Sequence, residues 1–211
     1  MTVTIFGATG MVGKQLIIHS LAKGWNVRAF GREIDSLIDK DLQTDKFTAV
    51  KGYVFDAGDV QKALKGSDAV LSAIGGALDG SDQTRSLGLK NIVAQMEKYG
   101  PKRIVAVGSV GVLDSEDGSG PRFEQEGYPQ EYVTVGREHF AAYMHLKKST
   151  IDWTFMCPPD ILDKEADGKF ETVTEGSATN WEINAGNLAL SIVQSIDSET
   201  FSHLRVGIGN S

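Results

Sequence analysis

Three glycines stand three residues apart in Gly7-Ala8-Thr9-Gly10-Met11-Val12-Gly13. They follow directly on an apolar run, Val3-Thr4-Ile5-Phe6, and they open a stretch that puts Leu16, Ile17, Leu21 and Ala22 on one helical side. A strand, a glycine turn and a helix in that order can bind an anion. The helix N-terminus offers unpaired backbone N–H donors and a favourable dipole, which suit the pyrophosphate of a dinucleotide. Gly7 then permits the tight turn, Gly10 leaves room for the phosphates, and Gly13 lets the helix pack on the sheet. The spacing is G-x-x-G-x-x-G rather than G-x-G-x-x-G, and a plain strand–helix turn is the alternative. Expected cofactor contacts along this turn are Gly7, Thr9, Gly10, Met11, Val12 and Gly13.

The end of the second strand separates NAD from NADP. A carboxylate there accepts the ribose hydroxyls of NAD, whereas an Arg suits the 2′-phosphate of NADP. Here the run ends Ala29-Phe30-Gly31-Arg32, with Glu33 next as the opposing charge. Arg32 is permanently charged and can grip a phosphate bidentately, so NADP (NADPH) is expected, with NAD less favoured. A solvated surface cation is the alternative for Arg32.

Other strand ends carry further candidates. Asp56 could accept a hydrogen bond from the adenine amino group or cap the following helix, for which Asp59 is the better candidate. Ala73, Ile74 and Gly75 end the fourth strand, where small residues allow a ribose and its linkage to lie against the backbone; a tight turn is the alternative. Ser109 ends the fifth strand and is expected to face the nicotinamide, where its hydroxyl could donate to a carbonyl or carboxamide. Tyr143 and Lys147 form Y-x-x-x-K, the proton-donor pair of short-chain dehydrogenases. They fall too near the far end of their helix to face the cofactor, so packing is expected for Tyr143 and a solvated, dipole-matched cation for Lys147. His139, early on that helix, is the histidine best placed to reach a cleft, although a lone helical histidine is usually packing or surface. His19, His145 and His203 show no partner spacing, and no metal-binding set is expected.

These residues need a scaffold that brings strand ends together. Strand and helix patterns alternate, which predicts a parallel α/β sheet. Strands are expected at Val3–Phe6, Asn26–Phe30, Phe47–Val54, Ala69–Ile74, Arg103–Val107 and Asp152–Cys157, with further ones at Lys169–Thr174 and, as an edge, Leu204–Ile208. Helices are expected after the glycine turn and over 33–42, Val60–Leu64, 82–99, 131–148 and 184–196. The whole chain, 1–211, reads as one NAD(P)-binding Rossmann domain, an α/β doubly wound parallel sheet with helices on both faces. Ligands bind such sheets at the carboxyl ends of the strands, where strand order reverses. That places the site at 7–13, 31–33, 73–76, 108–111 and 157–160. Substrate-side loops are expected at 76–84, 111–130 and 160–182; the second is long and rich in Gly, Ser and charge.

Composition narrows the partners. With 41% hydrophobic residues, the 211-residue chain can build a sizeable core. A net charge of −7 and a pI of about 5.1 argue against nucleic acid or an anionic membrane. Cys157 is the one cysteine, so there is no internal disulfide. No apolar run approaches the ~18 residues of a membrane span, and no basic-then-apolar leader opens the chain. A cytoplasmic monomer or weak homodimer acting on a small-molecule acceptor is expected.

With these residues in place, the chain resembles the atypical short-chain dehydrogenases that bind NAD(P)H. Within them it is most similar to the NmrA-like group containing biliverdin-IXβ reductase/flavin reductase and its bacterial relatives. The resemblance runs over nearly the whole chain: Ile5-Phe6-Gly7-Ala8-Thr9-Gly10, Lys65-Gly66-Ser67-Asp68-Ala69-Val70, Lys90-Asn91-Ile92-Val93-Ala94, Met156-Cys157-Pro158-Pro159-Asp160-Ile161, Gly168-Lys169-Phe170 and Thr172-Val173-Thr174. It implies that the glycine turn and Arg32 hold NADP, and that Ala73 to Gly75, Ser109 and Pro158 line the cofactor. His139 matches a histidine of the reductase. The family pattern has His after Pro-Pro where this chain has Asp160. The expected activity is hydride transfer from NADPH to a flavin, quinone or similar flat acceptor. A non-catalytic NADP-binding sensor and an epimerase or dehydratase are the other readings.

Overall fold

A computed structural model describes residues 1–38 and 40–211. Its centre is an eight-stranded sheet ordered β3-β2-β1-β4-β5-β6-β10-β8. The strands are β1 (Thr2–Phe6), β2 (Asn26–Gly31), β3 (Phe47–Lys51), β4 (Ala69–Ser72), β5 (Arg103–Val107), β6 (Asp152–Cys157), β8 (Phe170–Thr174) and β10 (Leu204–Asn210). All neighbours are parallel except β8, which runs antiparallel to β10. A separate parallel pair joins β7 (Asp160–Leu162) to β9 (Glu182–Asn184). From β1 the chain winds outward through β2 to β3, then returns to build β4, β5 and β6 on the other side. The reversal therefore falls between β1 and β4, the place where a doubly wound sheet binds ligands.

Alternation along the strands builds two cores. Val3 and Ile5 of β1, Leu71 of β4, Val105 of β5 and Met156 of β6 face α1 (Met11–Ala22) and α6 (Ala185–Ser195). Phe6, Val70, Ile104 and Phe155 face the opposite layer of α3 (Ala57–Leu64), α4 (Thr84–Tyr99) and α5 (Gln130–Lys147). Because side chains alternate at period two, apolar residues at consecutive positions signal burial on both faces. Thr4 breaks that run without penalty: its Oγ1 donates to the Ala63 carbonyl at 2.9 Å, and it also bonds Ser67 Oγ.

Several elements differ from the expected ones. Leu204–Asn210 is not an edge strand but lies between β6 and β8. Its glycines suggest a weak edge, yet a Cβ at Gly207 would sit 2.0 Å from the Gly176 carbonyl oxygen, because residues 176–180 lie across the strand. β3 stops at Lys51 and β4 at Ser72, leaving Tyr53–Phe55 and Ala73–Gly75 as loops at the sheet edge. The helix expected over 33–42 is a short α2 (Ile34–Leu37) and a 3₁₀ turn at Lys40–Leu42, with Asp39 outside the described residues. β7 falls where a loop was expected and β9 at the end of that loop and the first residue of the expected last helix, and both, three residues each, are too short to show periodicity.

Candidate functional site

The carboxyl ends of β1, β2, β4 and β5 open into a cleft of about 1050 Å³. Gly7, at φ +76°, makes the turn off β1, and a Cβ there would lie 2.2 Å from the Ala73 carbonyl oxygen. Gly13 is glycine for packing: a Cβ would come within 2.0 Å of the Gly7 carbonyl oxygen. Gly10 is different. Its backbone, φ −77° and ψ 170°, suits any residue, and the nearest atom to an added Cβ is 3.4 Å away. Gly10 lines the cleft, so a side chain there would take up ligand space rather than protein space. No side chain caps α1, and its first turn holds no acid. Its leading N–H groups are thus available to an anion, and the cradle fits a dinucleotide pyrophosphate.

Thr9, Met11, Val12, Ala73, Ile74 and Gly75 also line the cleft. One end is formed by Arg32, exposed on the turn after β2, and by Gly52 to Phe55 after β3. Tyr53 and Phe55 are exposed there, with ring centroids 5.1 Å apart in an edge-on pair. They were absent from the expected site, although two exposed aromatics offer flat surface to a heterocycle. Asp56 is not in the lining. It caps α3, its Oδ1 accepting the Asp59 N–H at 2.9 Å, while Asp59 Oδ2 accepts the Tyr53 N–H at 2.8 Å. Asp59 is therefore not the cap: α3 begins three residues before Val60, and the capping position moves with it.

The other end holds Val107, Gly108, Ile161 and His139. His139 is buried, and burial, reinforced by the nearby Arg85 charge, lowers its pKa to about 3. It is a neutral imidazole at ordinary pH and has no proton to give as an imidazolium. Ser109 and Pro158 are next to this end without lining it. The Ser109 hydroxyl accepts the Gly111 N–H at 3.2 Å and bonds the half-buried Tyr128 side chain, so it is turned into its own 3₁₀ turn. Tyr143 is buried on α5 among Phe140, Trp153 and Phe155, and Lys147 Nζ lies over its ring, 5.6 Å from the centroid. Neither lines the cleft.

The roof is the loop 76–84 and the start of α4. Asp82 Oδ2 accepts the Ala77 N–H at 2.8 Å and Oδ1 accepts the Thr84 N–H at 2.9 Å, and these bonds hold its carboxyl below the usual range. Arg85 donates from Nη1 to the Ala77 carbonyl and from Nη2 to the Gly76 carbonyl, each at 2.8 Å. Arg85 lines the cleft and was not foreseen, since an Arg on a helical pattern reads as solvated. Its position two residues into α4, where a cation opposes the helix dipole, is the available signal.

Beyond the cleft, Arg205 of β10 ties two substrate-side loops to the sheet. It donates to the Val112 carbonyl at 2.8 Å, to both Asp114 oxygens, and to Glu175 Oε2 at 2.6 Å. Cys157, at the end of β6, is buried, and burial pushes its thiol far above the usual range. Among the described residues no helix is long and apolar enough to cross a membrane, and no group of side chains could hold a metal ion.

Residues 7–199 match a family model described as NAD(P)H-binding. The chain is similar to the solved structure of a candidate exported protein from Burkholderia pseudomallei, with 28% identity, 99% of both chains covered and a TM-score of 0.82. It is also similar to that of a candidate NADH-flavin reductase from Streptococcus pneumoniae, with 20% identity, full coverage of both chains and a TM-score of 0.84. A short-chain dehydrogenase/reductase from Veillonella parvula, in complex with NADP, shares 19% identity over 99% of this chain and 94% of its own, with a TM-score of 0.76.

Proposed function

Because the chain belongs to the NAD(P)H-binding family, we propose that it is an NADPH-dependent reductase of a flavin, quinone or similar flat acceptor. The observation that carries this reading is the Gly10 cradle: a glycine that protein packing does not require, over an uncapped helix N-terminus and lining the cleft. Arg32, exposed at the cleft end, favours the 2′-phosphate of NADPH over the free ribose of NADH. Bound NADPH would supply a hydride to the acceptor. The Gly7–Val12 turn would hold its phosphates, and Ala73 to Gly75 would let its ribose lie against the backbone. His139 and Ile161 would bound the acceptor's end of the cleft.

A flat, conjugated acceptor is favoured because the side chains at that end offer no ready acid. His139 is neutral, Ser109 is engaged with Gly111 and Tyr128, and the Tyr143–Lys147 pair lies outside the cleft. Hydride transfer to such an acceptor depends chiefly on holding the two rings together. The candidate NADH-flavin reductase of Streptococcus pneumoniae, similar over the full chain, supports the flavin-type acceptor, while its name gives NADH as the donor. Steady-state oxidation of NADPH against a panel of flavins and quinones tests it, with turnover of at least one expected. Tight NADPH binding with no turnover of any acceptor would instead favour a binding or sensing role.

A further inference from the structure

The cleft holds a cation to which the cofactor reading above gives no part. Arg85 is more than nine-tenths buried, lines the cleft, and sits in the first turn of α4, where the helix dipole opposes its charge. A buried charge is normally paired. Here the nearby carboxylates attract Arg85 through space without bonding to it: Asp82 accepts from the Ala77 and Thr84 N–H groups, and Glu138 from the Ser86 hydroxyl at 2.8 Å. Among the described residues Arg85 makes no ion pair. Two of its donors hold the Gly76 and Ala77 carbonyls, and the rest of the five N–H groups of a guanidinium have no protein acceptor. The side chain is therefore fixed in place with donors to spare, next to His139 at the acceptor's end of the cleft.

We propose that Arg85 is the oxyanion-binding residue of an acceptor subsite, taking up the negative charge that builds on a ring carbonyl oxygen of a quinone- or flavin-type acceptor. The proposal rests on the reading of the cleft given above and deepens it. Hydride brings two electrons and one proton to a quinone. The donor's ring C–H bond breaks and one new bond to hydrogen forms on the acceptor, the displaced carbonyl π pair comes to rest on an oxygen as an aryloxide, and a proton taken up from solvent completes the hydroquinone. The sum is NADPH + quinone + H⁺ giving NADP⁺ + hydroquinone. A preorganised cation beside that oxygen stabilises the aryloxide stage. Removing one such donor typically slows turnover by about 10²–10³-fold.

The test uses 4-nitrophenol, a flat phenol whose ionised form is coloured, as a probe of the aryloxide. Its ionisation is followed by absorbance when bound to the wild type, to Arg85→Gln and to Arg85→Lys, with and without NADP⁺. Circular dichroism checks that each variant is folded. The bound phenol is expected to ionise at a pH lower by about one unit or more than free phenol in the wild type. The shift should persist in part in Arg85→Lys and vanish in Arg85→Gln. An equal shift in wild type and Arg85→Gln overturns the proposal, as does an unshifted phenol, or none bound, in the wild type. Calorimetry of NADP⁺ runs in parallel. A wild type that does not bind NADP⁺ sinks the cofactor reading, while the phenol titration in cofactor-free protein still decides the role of Arg85.

Discussion

A Cβ placed on Gly7 or Gly13 would lie 2.2 or 2.0 Å from a backbone carbonyl oxygen, far inside van der Waals contact, whereas one placed on Gly10 would come no closer than 3.4 Å to its neighbours. The three glycines should therefore fail differently. Gly10→Val is expected to abolish NADPH binding in calorimetry while leaving the urea midpoint close to wild type. Gly13→Ala is expected to lower that midpoint, because its methyl group overlaps the Gly7 carbonyl. Arg32→Ala should weaken NADPH by roughly 1.5–3 kcal/mol, the worth of a hydrogen bond to a charged group, and leave NADH almost unchanged. Equal wild-type affinities for the two cofactors would refute the role given to Arg32. His139 sets a pH dependence. Its folded pKa of about 3 lies below the unfolded value near 6.5, so between these pH values the unfolded chain binds the proton and the folded chain does not. Stability should fall as pH drops through that window, by ~4 kcal/mol if the group acts alone. Urea titrations at pH 7 and pH 4 should show a smaller loss in His139→Gln than in wild type. At this scale the sequence marks the glycines and Arg32 by type and spacing. It does not mark Arg85, which is held by the Gly76 and Ala77 carbonyls of the loop before α4, or the Tyr53–Phe55 pair on the loop after β3.

Elements that obey one period were legible, and elements held by distant partners were not. β1, α1, β5 and β6 follow from apolar runs, helical spacing and the glycine turn. The inner position of β10 does not, because Gly207 and Gly209 owe their identity to residues 176–180 lying over them. The same region is fixed by Arg205, which joins β10 to Asp114 in one loop and Glu175 in another. Its side chain is 9% exposed, but the two carboxylates are 49% and 38% exposed, so water replaces part of what they lose if it is removed. Arg205→Met should thus cost about 2 kcal/mol rather than the larger loss of a fully buried pair. The urea midpoint measures that cost. Hydrogen exchange should rise at residues 111–121 while β1 stays protected, and unchanged exchange there would mean that the loop is held by other contacts.

Over the whole molecule, the doubly wound order brings residues from five strand ends to one cleft, which is why candidates scattered between Gly7 and His139 in the chain converge. The β-α alternation around the first-turn glycines led the sequence reading to the strand ends, although residues 109–111 and 157–160, also expected there, do not line the cleft. The same order places β6 inside the sheet, with β5 on one side and β10 on the other. Cys157 ends that strand, fully buried, its S–H directed to the Phe155 carbonyl. A thiol so far above its usual range is almost never thiolate, and the thiolate is the form that reacts. In native buffer, Ellman's reagent should leave the protein unlabelled over the time that it labels a urea-unfolded sample completely. Through the urea transition, the labelling rate should follow the unfolded fraction given by circular dichroism. Rapid labelling without urea would mean that β6 opens locally. The chain thus carries its own clock: one silent sulfur that ticks only when the sheet comes apart.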